Sequence, residues 1–251
     1  LGAQVSNQGL ISAQLGTVAL AAGQRVRLNF NGDSLMGVTI EQGALNALVE
    51  NKQAIYADGG QVILTAQGLD AVLSASVNNT GLIQAQTIGQ SEGHIYLLGD
   101  KDTTSSIVAG TLDASAPLGG KGGNIAVTGY QVEVHAGALL DASGAQGGGT
   151  IEVGGGLYGA DPNLAQATST TVQSGATLDA SATAQGKGGT IAVWSDVSNP
   201  ASQTRAYGTL LARGGAMGGD GGTIETSGHW LDVKGIQTDA SAANGQAGLG
   251  L

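Results

Sequence analysis

The sequence predicts an all-β solenoid, a right-handed parallel β-helix with three faces and about eight turns. Three observations predict it. Short segments that alternate apolar and polar residues recur along nearly the whole chain. Two independent anchors within those segments keep step with each other. Glycine makes up 45 of 251 residues, while aromatic residues are 3% and charged residues 11%. A fold with many tight corners and a small-residue interior has this composition.

One phrase shows the unit. From Thr111 the chain reads Thr-Leu-Asp-Ala-Ser, then a glycine-rich corner ending at Gly122-Gly123. Asn124-Ile125-Ala126-Val127-Thr128 follows, and then Gln131-Val132-Glu133-Val134. Each segment alternates at period two, as half-buried strands do. Leu112, Ile125, Val127, Val132 and Val134 are expected to face in, and Asn124, Ala126 and Thr128 to face out. The leading segment repeats at Ile11, Ile55, Ile83, Leu112, Leu140, Leu178, Leu210 and Thr238, at intervals of 28 to 44 residues. The second repeats at Val18, Val62, Ile95, Ile125, Ile151, Ile191 and Ile224.

A three-strand unit this short cannot bury its own apolar side, so copies must stack, each strand pairing with its equivalent one turn on. Eight turns at about 4.8 Å make a rod roughly 40 Å tall. Parallel crossovers are overwhelmingly right-handed, which sets the expected hand. Insertions belong at corners, and the ones singled out are 154–168, with Asp161-Pro162-Asn163, and 197–203, with Pro200. Gln42–Asn51 is the one stretch whose spacing suits a short helix, as an excursion from a coil. A β-sandwich is the structural rival, and Asn31-Gly32 and Asp58-Gly59 are hairpin turn signals that would suit it.

Composition excludes several functions. Net charge is −10 and the nine basic residues are scattered. No basic stripe can neutralise phosphates, so nucleic acid is not an expected partner. No apolar run approaches the length of a membrane span, so membrane insertion is not expected. Cysteine is absent, which removes zinc fingers, thiol catalysis and disulfides. Leu1-Gly2-Ala3-Gln4 opens without Met or a leader-like pattern, so residues 1–251 read as a single β-helical repeat domain, a fragment of a longer protein.

Four carboxylates share one repeat position: Asp113, Asp141, Asp179 and Asp239, with Leu211 interrupting the series. They form an expected outward acidic ladder. Stacked carboxylates could serve as an acid/base or cation site. The plainer reading is a soluble outward residue repeated with its unit, and no catalytic or metal residue is assigned. His94, His135 and His229 fall at dissimilar repeat positions without metal spacing. The single Gly214–Gly222 run lacks the tandem repetition of a calcium β-roll, and no P-loop or nucleophile elbow occurs. No cofactor is expected. By alternation Trp194 and Trp230 point outward, and with Tyr207 they are the candidate ligand-binding residues, since exposed aromatics can stack on sugar rings. The competing reading has each Trp lying under a corner insertion.

Asn7-Gln8-Gly9-Leu10-Ile11-Ser12-Ala13-Gln14, Gly59-Gly60-Gln61-Val62-Ile63-Leu64-Thr65-Ala66 and Val77-Asn78-Asn79-Thr80-Gly81-Leu82-Ile83-Gln84-Ala85 resemble the filamentous haemagglutinin-like exoproteins of two-partner secretion. So do the Leu-Asp-Ala-Ser and Gly-Gly-Thr-Ile phrases. The resemblance covers essentially the whole chain. It implies a secreted, extracellular right-handed β-helix on the cell surface of a Gram-negative bacterium, exported through an outer-membrane two-partner secretion transporter. It further implies a non-enzymatic adhesin or biofilm-matrix role, with host or matrix glycans as candidate partners. A polysaccharide lyase or hydrolase on the same fold, or a passive stalk presenting a toxin domain, are the alternatives. Secretion domains of this family carry Asn-Pro-Asn motifs. Only Asp161-Pro162-Asn163-Leu164 comes near, so the chain reads as the rod beyond such a domain.

Overall fold

The structure, a computed structural model, describes residues 1–32, 34–70 and 75–251. Its strands form three parallel sheets of eight strands each, plus a two-stranded antiparallel hairpin. In every sheet, neighbours are equivalent strands from consecutive coils. This is the expected three-faced parallel β-helix.

Both anchor columns pair as the sequence predicts. In one sheet Ile11, Ile55, Ile83, Leu112, Leu140, Leu178, Leu210 and Thr238 stand in register. In a second, Val18, Val62, Ile95, Ile125, Ile151, Ile191 and Ile224 do the same. Ile55, Ile83, Leu112, Leu140, Leu178 and Leu210 are all fully buried. Each contributes about 1.5–3 kcal/mol of hydrophobic stabilisation. Because the columns run the length of the rod, each interior coil buries its apolar side against two neighbours.

Within a coil the chain turns on paired glycines. The N–H groups of Gly123, Gly149, Gly189 and Gly222 donate to Ala114, Ala142, Ala180 and Ala212 of their own coils, each at 2.7 Å. These bonds close the corner between the first and second sheets. They explain why Leu-Asp-Ala and Gly-Gly occur as linked phrases.

A third sheet runs Gln4–Asn7, Leu48–Asn51, Ala75–Asn79, Thr104–Val108, Gln131–Val134, Ser169–Val172, Gln203–Ala206 and Trp230–Asp232. At its inner corner Asn7, Asn51 and Asn79 stack in register. Asn7 donates to Asn51 Oδ1 at 2.7 Å, and Asn51 donates to Asn79 Oδ1 at 2.8 Å. Asn51 and Asn79 are fully buried. From Val108 onward, Val134, Val172 and Ala206 fill the same position. The interior thus changes from polar to apolar partway along the rod.

Three expectations are corrected. Gln42–Asn51 is no helix: Gln42 ends the strand Ser34–Gln42, and Leu48–Asn51 is a rung of the third sheet. Val49 pairs with Val5 and Val77 and is fully buried, so inter-coil pairing overrides a short helical spacing. Second, Asn31-Gly32 does mark a hairpin, with Arg25–Asn31 antiparallel to Ser34–Gln42, but it is an appendage and not part of a sandwich. It lies on the outer face of the second sheet, where Leu35 O accepts from Thr17 Oγ1 and Gln61 Nε2, each at 3.0 Å. Asp58-Gly59 is a solenoid corner, with Gly59 at φ 68°. Third, Ala126 and Thr128 take outward positions yet are buried. Ala126 stands in register between Tyr96 and Glu152, whose larger side chains cover it.

Candidate functional site

Asp113, Asp141 and Asp179 are successive register partners, Leu211 takes the next rung, and Asp239 follows. Each carboxylate is committed locally. Oδ1 accepts the backbone N–H two residues on, from Ser115 at 3.0 Å, Ser143 at 2.8 Å, Ser181 at 2.9 Å and Ser241 at 2.9 Å. This is an Asx turn repeated at every rung, and it steers the chain from strand into corner. The second oxygens also find partners. Gln86 Nε2 donates to Asp113 Oδ2 at 2.7 Å. Arg213, two residues after the interrupting Leu211, lies 3.8 Å from Asp179 Oδ2 and 4.0 Å from Asp239 Oδ2. The missing rung is therefore replaced by a cation that neutralises the rungs on either side.

Asp141 is the exception. Burial pushes its carboxyl above the usual carboxylate range, and Asp113 and Asp179 add to the rise against the lowering bonds from Ser143. Asp239 goes the other way, lowered first by its bonds to Ser241 and further by Arg213. For an acid raised on folding, the native state binds the proton more tightly than the unfolded state. The associated stability is present below the unfolded pKa and is lost as pH rises through the folded one. Asp141→Asn keeps the Oδ1 acceptor and removes the charge. It is expected to be more stable than the parent at pH 7, with the difference closing as pH falls below the carboxylate range. Urea denaturation at the two pH values checks this, and a variant less stable at pH 7 would refute it.

Trp194 does not meet the expectation of an open stacking platform. It points outward from the second sheet but is only 4% exposed, because residues 154–168 fold over it. Gln166 Oε1 accepts the indole N–H at 3.0 Å. A Cβ on Gly155 or Gly159 would come within 2.5 or 2.7 Å of the ring, so these glycines let the backbone lie flat on the indole. Two carboxylates fasten the same insertion. Glu225 accepts from Tyr158 N–H at 2.7 Å, and Glu152 from Leu157 N–H at 3.4 Å. Asp161-Pro162-Asn163 sits here as a self-contained turn, with Asp161 Oδ1 accepting from Asn163 N–H at 2.8 Å.

Trp230 and Tyr207 lie on neighbouring coils at the last rungs of the third sheet but are not brought together, since Trp230 pairs with Gln203, four residues before Tyr207. Trp230 is 50% exposed, with the Arg205 guanidinium 5.4 Å from its ring centroid. Asp232 is the register partner of Arg205 and accepts from the Tyr207 hydroxyl at 2.9 Å. Tyr207, Asp232 and Lys234 line a cavity of about 330 Å³. The remaining histidines are dispersed: His135 pairs with Glu133 at 3.1 Å, and His229 contacts Val197 O at 3.2 Å. Among the described residues, no group of three or more His, Asp or Glu is placed to hold a metal ion.

No family model matches the chain, and no curated protein matches it. Among solved structures, the chain is similar to the HMW1 secretion domain from Haemophilus influenzae. The likeness covers 98% of this chain at 28% identity, with a TM-score of 0.77. The chain spans 60% of that structure's length. The likeness is thus to a secretion domain, and not to the rod beyond one that the scarcity of Asn-Pro-Asn motifs leads one to expect.

A larger groove went unnoticed in the sequence. A cavity of about 770 Å³ opens on the outer face of the second sheet, beside the hairpin. Its floor carries Gln61, His94 and Tyr96, and Leu35 and Met36 of the hairpin form one wall. The floor follows from register, since Gln61 and His94 are partners and His94 and Tyr96 alternate outward on one strand. The wall could not be read, because it depends on where the hairpin folds back.

Proposed function

We propose that this chain is a rigid extracellular β-helical segment of a large secreted bacterial adhesin, exported through a two-partner outer-membrane transporter. It would hold binding regions away from the cell surface or crosslink a matrix. The likeness to the HMW1 secretion domain over 98% of the chain supports the reading. The unbroken core columns supply the rigidity, since no coil can bend without parting strand pairs on three sheets. Among the described residues, no helix is long and apolar enough to cross a membrane.

The column carboxylates that a lyase or hydrolase would use are engaged in turns and line neither of the cavities described above, so the enzymatic alternative gains no support from them. Beads coated with the purified chain are expected to be retained on epithelial monolayers or on biofilm matrix above beads coated with an unrelated β-solenoid. Equal retention would reduce the role to that of a passive stalk.

A further inference from the structure

We propose that the groove between the hairpin and the outer face of the second sheet is a binding site for an uncharged oligosaccharide. The inference rests on the adhesive reading only for its biological use, and the site itself stands on the groove.

Its size suits a small ligand, about 770 Å³ against the roughly 300–1,000 Å³ of small-molecule sites. Its lining suits a sugar. The rings of His94 and Tyr96 stack on each other within 4°, with centroids 6.0 Å apart, and form one aromatic ridge on the floor. Flat aromatic faces beside fixed polar groups suit a pyranose, which has an apolar C–H face and a rim of hydroxyls.

The polar groups are held in defined roles. Both hydrogens of the Gln61 amide are used, on Thr17 Oγ1 at 3.1 Å and Leu35 O at 3.0 Å. What Gln61 offers a ligand is therefore an acceptor. The Asn124 amide donates to His94 Nδ1 at 3.1 Å, so the imidazole proton sits on Nε2 as a donor. Burial holds the His94 pKa below its ordinary value, against the opposite pull of Glu92, so the ring is neutral at pH 7. Burial and the carboxylates of Glu152 and Asp161 raise the Tyr96 hydroxyl, which stays protonated. The Tyr96 hydroxyl stands 3.5 Å from His94 Nδ1, so its oxygen is what it offers a ligand, and this oxygen, the Gln61 acceptor and the His94 donor match vicinal sugar hydroxyls.

Charge selects the class. The lining includes the Glu92 carboxylate and no Lys or Arg, and the chain carries −10 overall. Acidic sugars and phosphates are repelled. Leu15 closes one end in a left-handed conformation, φ 58°, uncommon for a non-glycine residue. Its side chain is 64% exposed and lies over Gly59, where a Cβ would come within 2.5 Å of it. A strained residue presenting an apolar side chain to an open cavity fits a ligand contact better than a packing role.

The test uses the purified 251-residue chain with cello-, xylo-, malto- and chito-oligosaccharides, and with oligogalacturonates as the acidic contrast. Saturation-transfer NMR screens for binding and calorimetry measures it. At least one neutral series is expected to bind, and the oligogalacturonates are not. Tyr96→Ala is expected to weaken binding about tenfold or more, while Met217→Ser, on a distant exposed corner, leaves it unchanged. If Tyr96→Ala fails to fold, Met36→Trp, which fills the groove from its exposed wall, is expected to abolish binding. No neutral binding at millimolar concentration overturns the proposal, as does binding that survives both groove variants. Saccharide binding is read without cells, so its failure leaves the bead result standing. Loss of bead adhesion with saccharide binding intact sinks the adhesive reading alone.

Discussion

Replacing Asn51 by leucine is expected to lower the unfolding free energy by about 4 kcal/mol, read from urea denaturation. Asn51 is fully buried at the centre of the amide stack. Its Oδ1 accepts from Asn7, and its Nδ2 donates to Asn79 Oδ1 at 2.8 Å and Leu82 O at 3.1 Å. Leucine fills the volume and serves none of these groups. Each orphaned buried polar atom costs about 1–3 kcal/mol, because it has left water without a replacement. Asn79 Oδ1 and Leu82 O suffer most, whereas Asn7 retains a long contact to Ala54 O at 3.4 Å. The same position is occupied by Val108 and Val134 in later coils, so the cavity itself accepts an apolar residue. A triple replacement of Asn7, Asn51 and Asn79 by valine is therefore expected to be less damaging per residue than Asn51→Leu alone. If the single variant loses under about 1 kcal/mol, the stack is not a cooperative unit.

Some of this was open to reading in the sequence and some was not, for one physical reason. Contacts between coils join equivalent residues, so a period in the sequence becomes a contact in space. That is why the Ile11-to-Thr238 and Val18-to-Ile224 columns, and the Asp113, Asp141 and Asp179 rungs, could be placed rung by rung. The amide stack follows the same rule, since Asn7, Asn51 and Asn79 each end an equivalent strand, but a polar residue at a strand end carries no sign that it faces inward. Contacts made by excursions obey no period. The hairpin 25–42 and the insertion 154–168 fold back on the second sheet wherever their own lengths allow. Hence Trp194 has the outward position that alternation gives it and still lies covered. The groove over His94 and Tyr96 was hidden for the same reason, its floor being periodic and its wall not. Side-chain direction follows from a strand's period, while exposure depends on what the rest of the chain lays over it.

Gly189→Ala, the addition of one methyl group, is expected to cost about 3 kcal/mol or more. A Cβ at Gly189 would lie 2.0 Å from Gly149 O, and 2.9 Å from Ala180 O of its own coil. Both carbonyls are already engaged. Gly149 O accepts from Thr190 N–H at 2.9 Å, and Ala180 O accepts from Gly189 N–H at 2.7 Å. Relief would have to come from moving backbone, which parts the corner bond or lifts the coil from its neighbour. The same 2.0 Å approach recurs at Gly60, Gly149, Gly222 and Gly248, so the glycines form a column in which each coil rests on the previous one. Lifting one coil strains the pairing of Ile191 with Ile151 directly above the corner. Gly137→Ala separates this steric cost from backbone preference. Gly137 has φ 83° with nothing within 4 Å of its Cβ position, so only conformational strain of about 1 kcal/mol is expected. Urea midpoints for the two variants decide the matter. Equal losses would mean that glycine serves here through backbone freedom alone. A loss several times larger at Gly189 would mean that the Gly-Gly phrase sets the spacing between coils.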